Sequence, residues 1–330
     1  EGLGGIDIFV ANVSPMSGKW ADAVNTDILS TVSSIDAALP WVKQSENGSI
    51  IYISSMAGVV ATTVTVLIEK YGGVLGGILG TIPTTIIPAA IGMGSEGGDD
   101  SLILSLAIVP AGMLINAIFL STWAILPSKL PKTWNSNKRL IVTSICSLLV
   151  WTSTGIFAIK TVDLAIDKNY SAYQIAITGF VLVGTLGAIM CWNLKPAPKG
   201  NNQVSKKILV SRGFVAATAI GVAVIISGLG MPLIAGLASV FPAIFLTSMV
   251  ALWIAQGPSV PLGAAGPMMM GGASVAAYSI IAMWSMIEYG LIVGSAIAWI
   301  GSIILWSIPS FAYVNWRSKI RNSMALHEND

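Results

Sequence analysis

The run Gly72 to Met93, GGVLGGILGTIPTTIIPAAIGM, constrains the fold most. It carries no charge, is crowded with glycine and is broken by Pro83 and Pro88. About 20 apolar residues cross the hydrocarbon of a bilayer as one helix, so the run predicts a membrane span. Composition agrees. The chain has 330 residues, 54% hydrophobic and 10% charged, with mean hydropathy +0.79, whereas soluble domains carry roughly 25% charged residues. Such a chain cannot cover a globule with polar surface, so the lipid bilayer is the partner its composition requires. No basic run interleaved with aromatics points to nucleic acid.

Apolar runs of similar length recur at about 50–68, 72–93, 102–126, 140–159, 172–194, 208–228, 231–254, 262–286 and 290–311. Nine crossings put 13 of the 17 Lys and Arg on one side and 4 on the other. Cytoplasmic loops carry the excess of Lys and Arg. This predicts an integral protein of the plasma (inner) membrane, with its N-terminus outside and its C-terminus cytoplasmic. Trp123, Trp192, Trp306, Tyr313 and Trp316 fall near run ends and read as interfacial anchors. Cys146 and Cys191 lie inside apolar runs and read as small packing residues; His327 lies in the polar tail.

A second unit echoes the first. With Pro83 placed on Pro242, GGILGTIPTTII overlies AGLASVFPAIFL at an offset of 159. AIVPAGM then overlies AAGPMMM, setting Pro110 on Pro267 at an offset of 157. Equivalent spans five apart lie in opposite orientations, which predicts inverted repeats, each with Pro-interrupted helices. The expected fold is therefore all-α and polytopic, with about nine transmembrane helices in two inverted repeats. Its parts are an extramembrane segment 1–49, repeat one at 50–160, a linking helix and basic loop at 161–207, repeat two at 208–316 and a polar tail at 317–330. The glycines at 72, 73, 76, 77 and 80 have small-xxx-small spacing, which lets helices approach closely.

The N-terminal segment reads differently. Ile6 to Val10 and Ser49 to Ser54 are short apolar strands, and Trp20 to Leu39 has helical spacing. The sequence GGIDIFVANVS, the helix and then GSIIYISSMAG resemble the middle of a short-chain dehydrogenase. Ala11 to Ser14 stand at that family's NNAG-type turn and Ser55 at its catalytic serine. The resemblance stops there. The glycine-rich dinucleotide loop is missing, Asp27 replaces the family's asparagine, and no Tyr-x-x-x-Lys follows Ser55. Without these, nothing holds a pyrophosphate and no proton donor serves the serine. The segment is expected to be a fused or fragmentary dehydrogenase remnant without cofactor or activity. The second membrane unit resembles the small GlpM-like bacterial membrane proteins through Ala235-Gly236-Leu237 and Phe241-Pro242. That resemblance implies a doubled membrane unit and no particular substrate.

No Asp, Glu, Lys, Arg or His lies centrally in a predicted span. Intramembrane charges mark proton and ion pathways, so their scarcity argues against a proton pump and against acid–base or metal catalysis. The chain is not expected to be an enzyme, and no cofactor or metal is expected. The polar residues within runs are Thr81, Thr84, Thr85, Asn116, Gln174, Thr247, Ser248 and Gln256. Proline frees a carbonyl, and broken helices at matching places of two repeats point to a transporter's binding site. Pro83, Pro242, Thr84, Thr85 and Asn116 are the substrate-site candidates. The first expectation is a secondary transporter or facilitator of a small solute. The alternatives are a structural or accessory membrane protein that moves nothing, and a membrane-tethered dehydrogenase remnant.

Overall fold

The structure, a computed structural model, describes residues 8–11, 33–34, 37–38, 40–41, 49–52, 82–83, 86–192, 226, 229–257 and 259–327. Two strands, β1 (Ile8–Ala11) and β2 (Ser49–Tyr52), pair in parallel, with Ile8 opposite Ser49 and Ala11 opposite Tyr52. A parallel pair needs a long crossover rather than a tight turn, and the chain between the strands is long enough for one.

Eight helices follow in the described residues: α1 (Ile86–Lys129), α2 (Ser136–Asp167), α3 (Ala172–Trp192), α4 (Pro232–Ser239), α5 (Ala243–Gln256), α6 (Ser259–Tyr289), α7 (Leu291–Ser302) and α8 (Ile308–His327). A π turn, Ile303–Ser307, joins α7 to α8. Six stretches are long and apolar enough to cross a membrane: Gly97–Lys129, Ser136–Asp167, Ala172–Met190, Pro232–Ile254, Pro261–Tyr289 and Leu291–Arg321. The chain is an integral membrane protein.

Nine spans become six among the described residues. The run 208–228 lies outside them except for Ile226, and so does 50–68 beyond Tyr52. Ile50 to Tyr52 belong to β2 rather than to a helix, the β-branched isoleucines and the aromatic tyrosine suiting a paired strand. The run 72–93 is described only at Ile82, Pro83 and from Ile86 onward, so its glycine stripe is outside view. Among the described residues of this run, Ile86–Ser95 forms a short apolar helix.

The helices also outrun their apolar stretches. α2 continues through Lys160 and Asp163 to Asp167, and α8 continues through the expected polar tail to His327. Lys and Arg are good helix formers once a helix reaches water. The turn from α2 to α3 satisfies its own backbone. Asn169 takes the left-handed conformation (φ 61), with Asn169 N–H donating to Ile166 O and Tyr170 N–H to Ala165 O. This is a Schellman end. Ser171 and Gln174 then exchange side-chain-to-backbone bonds at 2.8 and 3.2 Å, a capping box that opens α3. Gln174 thus serves the turn and not an interhelical bond.

Three glycines break the membrane helices alike, one of them Gly290, which parts α6 from α7 at φ 78, ψ 165. Gly98 interrupts α1 at φ 70, ψ −180, and Gly257 separates α5 from α6 at φ 83, ψ 175. Only glycine reaches such a conformation without strain. The helices expected to be interrupted at Pro110 and Pro267 instead run through both prolines. A membrane helix tolerates an interior proline where neighbouring helices cover the freed groups, and α3 lays Gly179 directly on the Pro110–Ala111 backbone.

The long arm of α1 and the apolar body of α6 are buried over most of their length, while the remaining spans expose most of theirs. Contacts fix the directions. Arg139 bonds Pro127 O and Trp151 bonds Asn116, so α1 and α2 are antiparallel. Gly187 meets Met270 while Gly266 meets Met190 O, so α3 and α6 are antiparallel. With α2 and α3 joined by a tight turn, α1 and α6 run in opposite senses, with α3 packed against both.

Close approach depends on absent side chains. α4 crosses α1 where Gly236 faces Ser105 O, and a Cβ there would collide with that carbonyl. The collision is with backbone, which cannot rotate away. Gly236→Val should therefore destabilise the fold by about 1–3 kcal/mol or more. The expected readout is loss of the monodisperse peak in detergent size exclusion. A wild-type thermal profile would show that α4 does not cross α1 at this point.

Candidate functional site at the broken helix

The Pro242 break is real and filled. α4 ends at Ser239, Val240 turns out of the helix (φ −108, ψ 20), and Pro242 begins α5. An uninterrupted helix would bond Val240 O to a backbone N–H four residues on. Here Asn116 Nδ2 donates to it at 2.8 Å. The other end of the same amide, Oδ1, accepts the Trp151 indole N–H at 2.8 Å. Trp151 also packs edge-on against Phe241, centroids 5.2 Å apart. Asn116 is only 2% exposed, and its Nδ2 also lies 3.6 Å from Met113 Sδ. One buried amide ties α1, α2 and the α4–α5 break together.

Packing around the break is close. Val240 and Leu237 press on Gly112, and Leu237 also reaches Gly155. Pro83 and Pro242 are both buried. The structure brings Asn116 to the Pro242 break. Thr84, Thr85 and Thr81 lie outside the described residues, as does the Gln256 side chain. Thr247 and Ser248 turn their hydroxyls back to Ala243 O and Ile244 O on their own helix. On α1, Ser105 Oγ and Trp123 Nε1 are buried without a hydrogen-bond partner. Among the described residues no cluster of His, Cys, Asp or Glu could hold a metal ion.

A cavity of about 450 Å³ lies elsewhere, between α1, α2 and α3, lined by neither proline nor Asn116. Leu114 and Ile118, Phe157 and Ala158, and Gln174 and Leu182 represent its three walls.

The tryptophans needed revision. Trp123 is fully buried and stacks edge-on with Trp253 and tilted with Phe119. It is a core residue and not an interfacial anchor, because α5 covers the helix end that sequence leaves open. Trp306 is no anchor either. It donates to Met270 O at 2.8 Å and lies over Gly184. Trp192 and Trp316 are exposed beside Arg317, whose guanidinium sits 4.1 Å from the Trp192 ring centre.

Trp151 and Trp306 form a pair that the sequence reading missed. Each sits on the helix after a long central helix and donates its indole N–H to that helix. The signal was present: ICSLLVWTS (Ile145–Ser153) overlies IGSIILWSI (Ile300–Ile308) at an offset of 155. No family model, curated protein or solved structure matches the chain.

The Asn116 network makes a separable prediction. A buried polar group left unpaired costs roughly 1–3 kcal/mol. Asn116→Leu orphans both Val240 O and the Trp151 indole, and should cost more than Trp151→Phe, which orphans only one amide oxygen. The double variant should be less destabilised than the sum of the singles, by about 0.5–3 kcal/mol of coupling. Unfolding in mixed micelles measures it, and strict additivity would mean the two side chains act independently.

Proposed function

We propose that this chain is a membrane transport protein built from two inverted units, moving a small solute by alternating access between them. The observation that carries the reading is the pair of glycine breaks. Gly98 and Gly257 are 159 positions apart, the spacing of Pro83 and Pro242, and share a backbone conformation that Gly290 also takes, so the spacing is what pairs them. Pro110 with Pro267 and Trp151 with Trp306 extend the correspondence at offsets of 157 and 155. The opposite senses of α1 and α6 agree with inversion, and α3 lies between the two as a single linking helix. Broken helices at matching positions of inverted units are the arrangement in which transporters bind solutes and rock one unit against the other. In this reading the loop around Lys132 is cytoplasmic, the turn around Asn169 is outside, and the membrane is the plasma (inner) membrane.

The tight packing at Pro242 and the complete use of Asn116 support a second reading. In it the chain is an accessory or structural subunit, and the breaks are packing devices. Flux separates the two. Purified protein in vesicles should accelerate uptake of at least one class among neutral, anionic and cationic small solutes. Gly98→Ala or Gly257→Ala, each forced into left-handed backbone, should reduce that uptake by an order of magnitude. No flux for any class from well-folded protein would leave the accessory reading. Labelling of single cysteines at Lys132 and Asn169 from either side tests the orientation: both reacting from one side would count against it.

A further inference from the structure

We infer that the groove between α1, α2 and α3 binds the acyl chain of a single bilayer lipid. The cavity measures about 450 Å³ and runs from the α2–α3 turn, at Tyr170 and Gln174, inward to Ile118 and Leu182. From Gln174 to Leu182 the wall is roughly 12 Å long, at 1.5 Å per helical residue. That shape suits an extended chain entering from the membrane boundary.

The wall chemistry excludes a polar guest. Its three threonines spend their hydroxyl protons on their own helices: Thr154 on Val150 O, Thr161 on Phe157 O and Thr178 on Gln174 O. Inward of Tyr170 and Gln174, which put their polar ends at the mouth, a polar solute would lose its water and find no free donor, at a cost of several kcal/mol per group. An alkyl chain loses nothing. The groove also opens onto surface that the bilayer already covers, with Phe157 and Leu182 of its wall exposed. Its supply of guests is therefore the lipid itself.

The other half of the molecule shows that the groove is a feature of one unit and not of helix packing in general. This comparison rests on the repeat proposed above. Between α3, α6 and α8 the corresponding place is closed by the protein. Trp306 fills the space over Gly184 and packs edge-on against Phe180 at 4.7 Å. Tyr313 then donates to Ala188 O at 3.1 Å, and Arg317 Nε to Trp192 O at 3.0 Å. At the offset of 155, Tyr313 and Arg317 correspond to Ala158 and Val162. Two large side chains that seal one side are replaced by two small ones that leave the other open.

The test uses the full chain in vesicles of phosphatidylcholine containing a fraction with a diazirine near the middle of one acyl chain. After illumination, adducts are mapped by mass spectrometry. Adducts should concentrate several-fold on the segments 111–118, 157–165 and 175–182 over the well-exposed Ile145, Leu149 and Leu305. Ala158→Trp and Leu182→Trp, which fill the groove from two walls, should each reduce groove adducts about tenfold. Ile145→Trp should not, and all three should keep the wild-type size-exclusion profile. Adducts that simply follow exposure would overturn the assignment. So would groove adducts insensitive to both tryptophans. Binding is read without any flux, so an inert protein that still shows the groove adducts removes transport and leaves this site standing.

Discussion

A carbonyl freed inside a bilayer has no water to turn to, and this chain meets that constraint with one asparagine. Val240 O, released by the Pro242 break, is taken up by Asn116, whose oxygen is in turn held by Trp151. Every neighbour in the region is arranged around that relay. Gly112 gives Val240 room, Phe241 rests on the Trp151 ring, and α4 can come down onto α1 because Gly236 has no side chain. The break could be an unstable gap in hydrocarbon; the amide makes it a fixed joint between three helices.

The same economy governs the central pair. Along their apolar lengths, 101–128 and 259–287, α1 and α6 have no charged groups with which to recognise one another, and in lipid there is little hydrophobic drive to bring them together. Contact area must supply the attraction, so distance is what matters. Gly179 and Gly187 on α3 meet backbone at Pro110 and at Met269–Met270, which places that helix close to both central helices at once. On the far side, Ser285 Oγ binds Gly294 O and Tyr278 pairs with Ser295, fastening α7 to α6 by hydroxyls alone.

Much of this was legible in sequence, and what was missed has physical causes. Apolar length located six spans because the bilayer imposes it directly. The breaks at Pro242 and near Gly98 were visible as proline and glycine. Helix ends were not, since a helix leaving the membrane continues for as long as its polar residues favour it, as α2 does to Asp167. Asn116 was marked as a substrate candidate because a lone amide in an apolar run invites it. Only tertiary contact shows both of its ends occupied, and the threonines beside Pro83 lie outside the described residues. Trp306 was assigned to the interface by its position near a run end, whereas Gly184, more than a hundred residues away, draws it inward.

The π turn at Ile303–Ser307 gives that last helix a particular phase. Ile308 N–H reaches back to Ile303 O, five residues instead of four, winding in one residue more than an α-helix holds. Each residue of an α-helix turns the chain by about 100°. Everything beyond the π turn is therefore rotated by that angle relative to α7, and this rotation points Tyr313 and Arg317 at α3. The seal on that side is thus set by winding as well as by the size of the side chains. A single residue gained or lost in the turn would swing it open, whereas α2, which carries no such turn, has no equivalent adjustment.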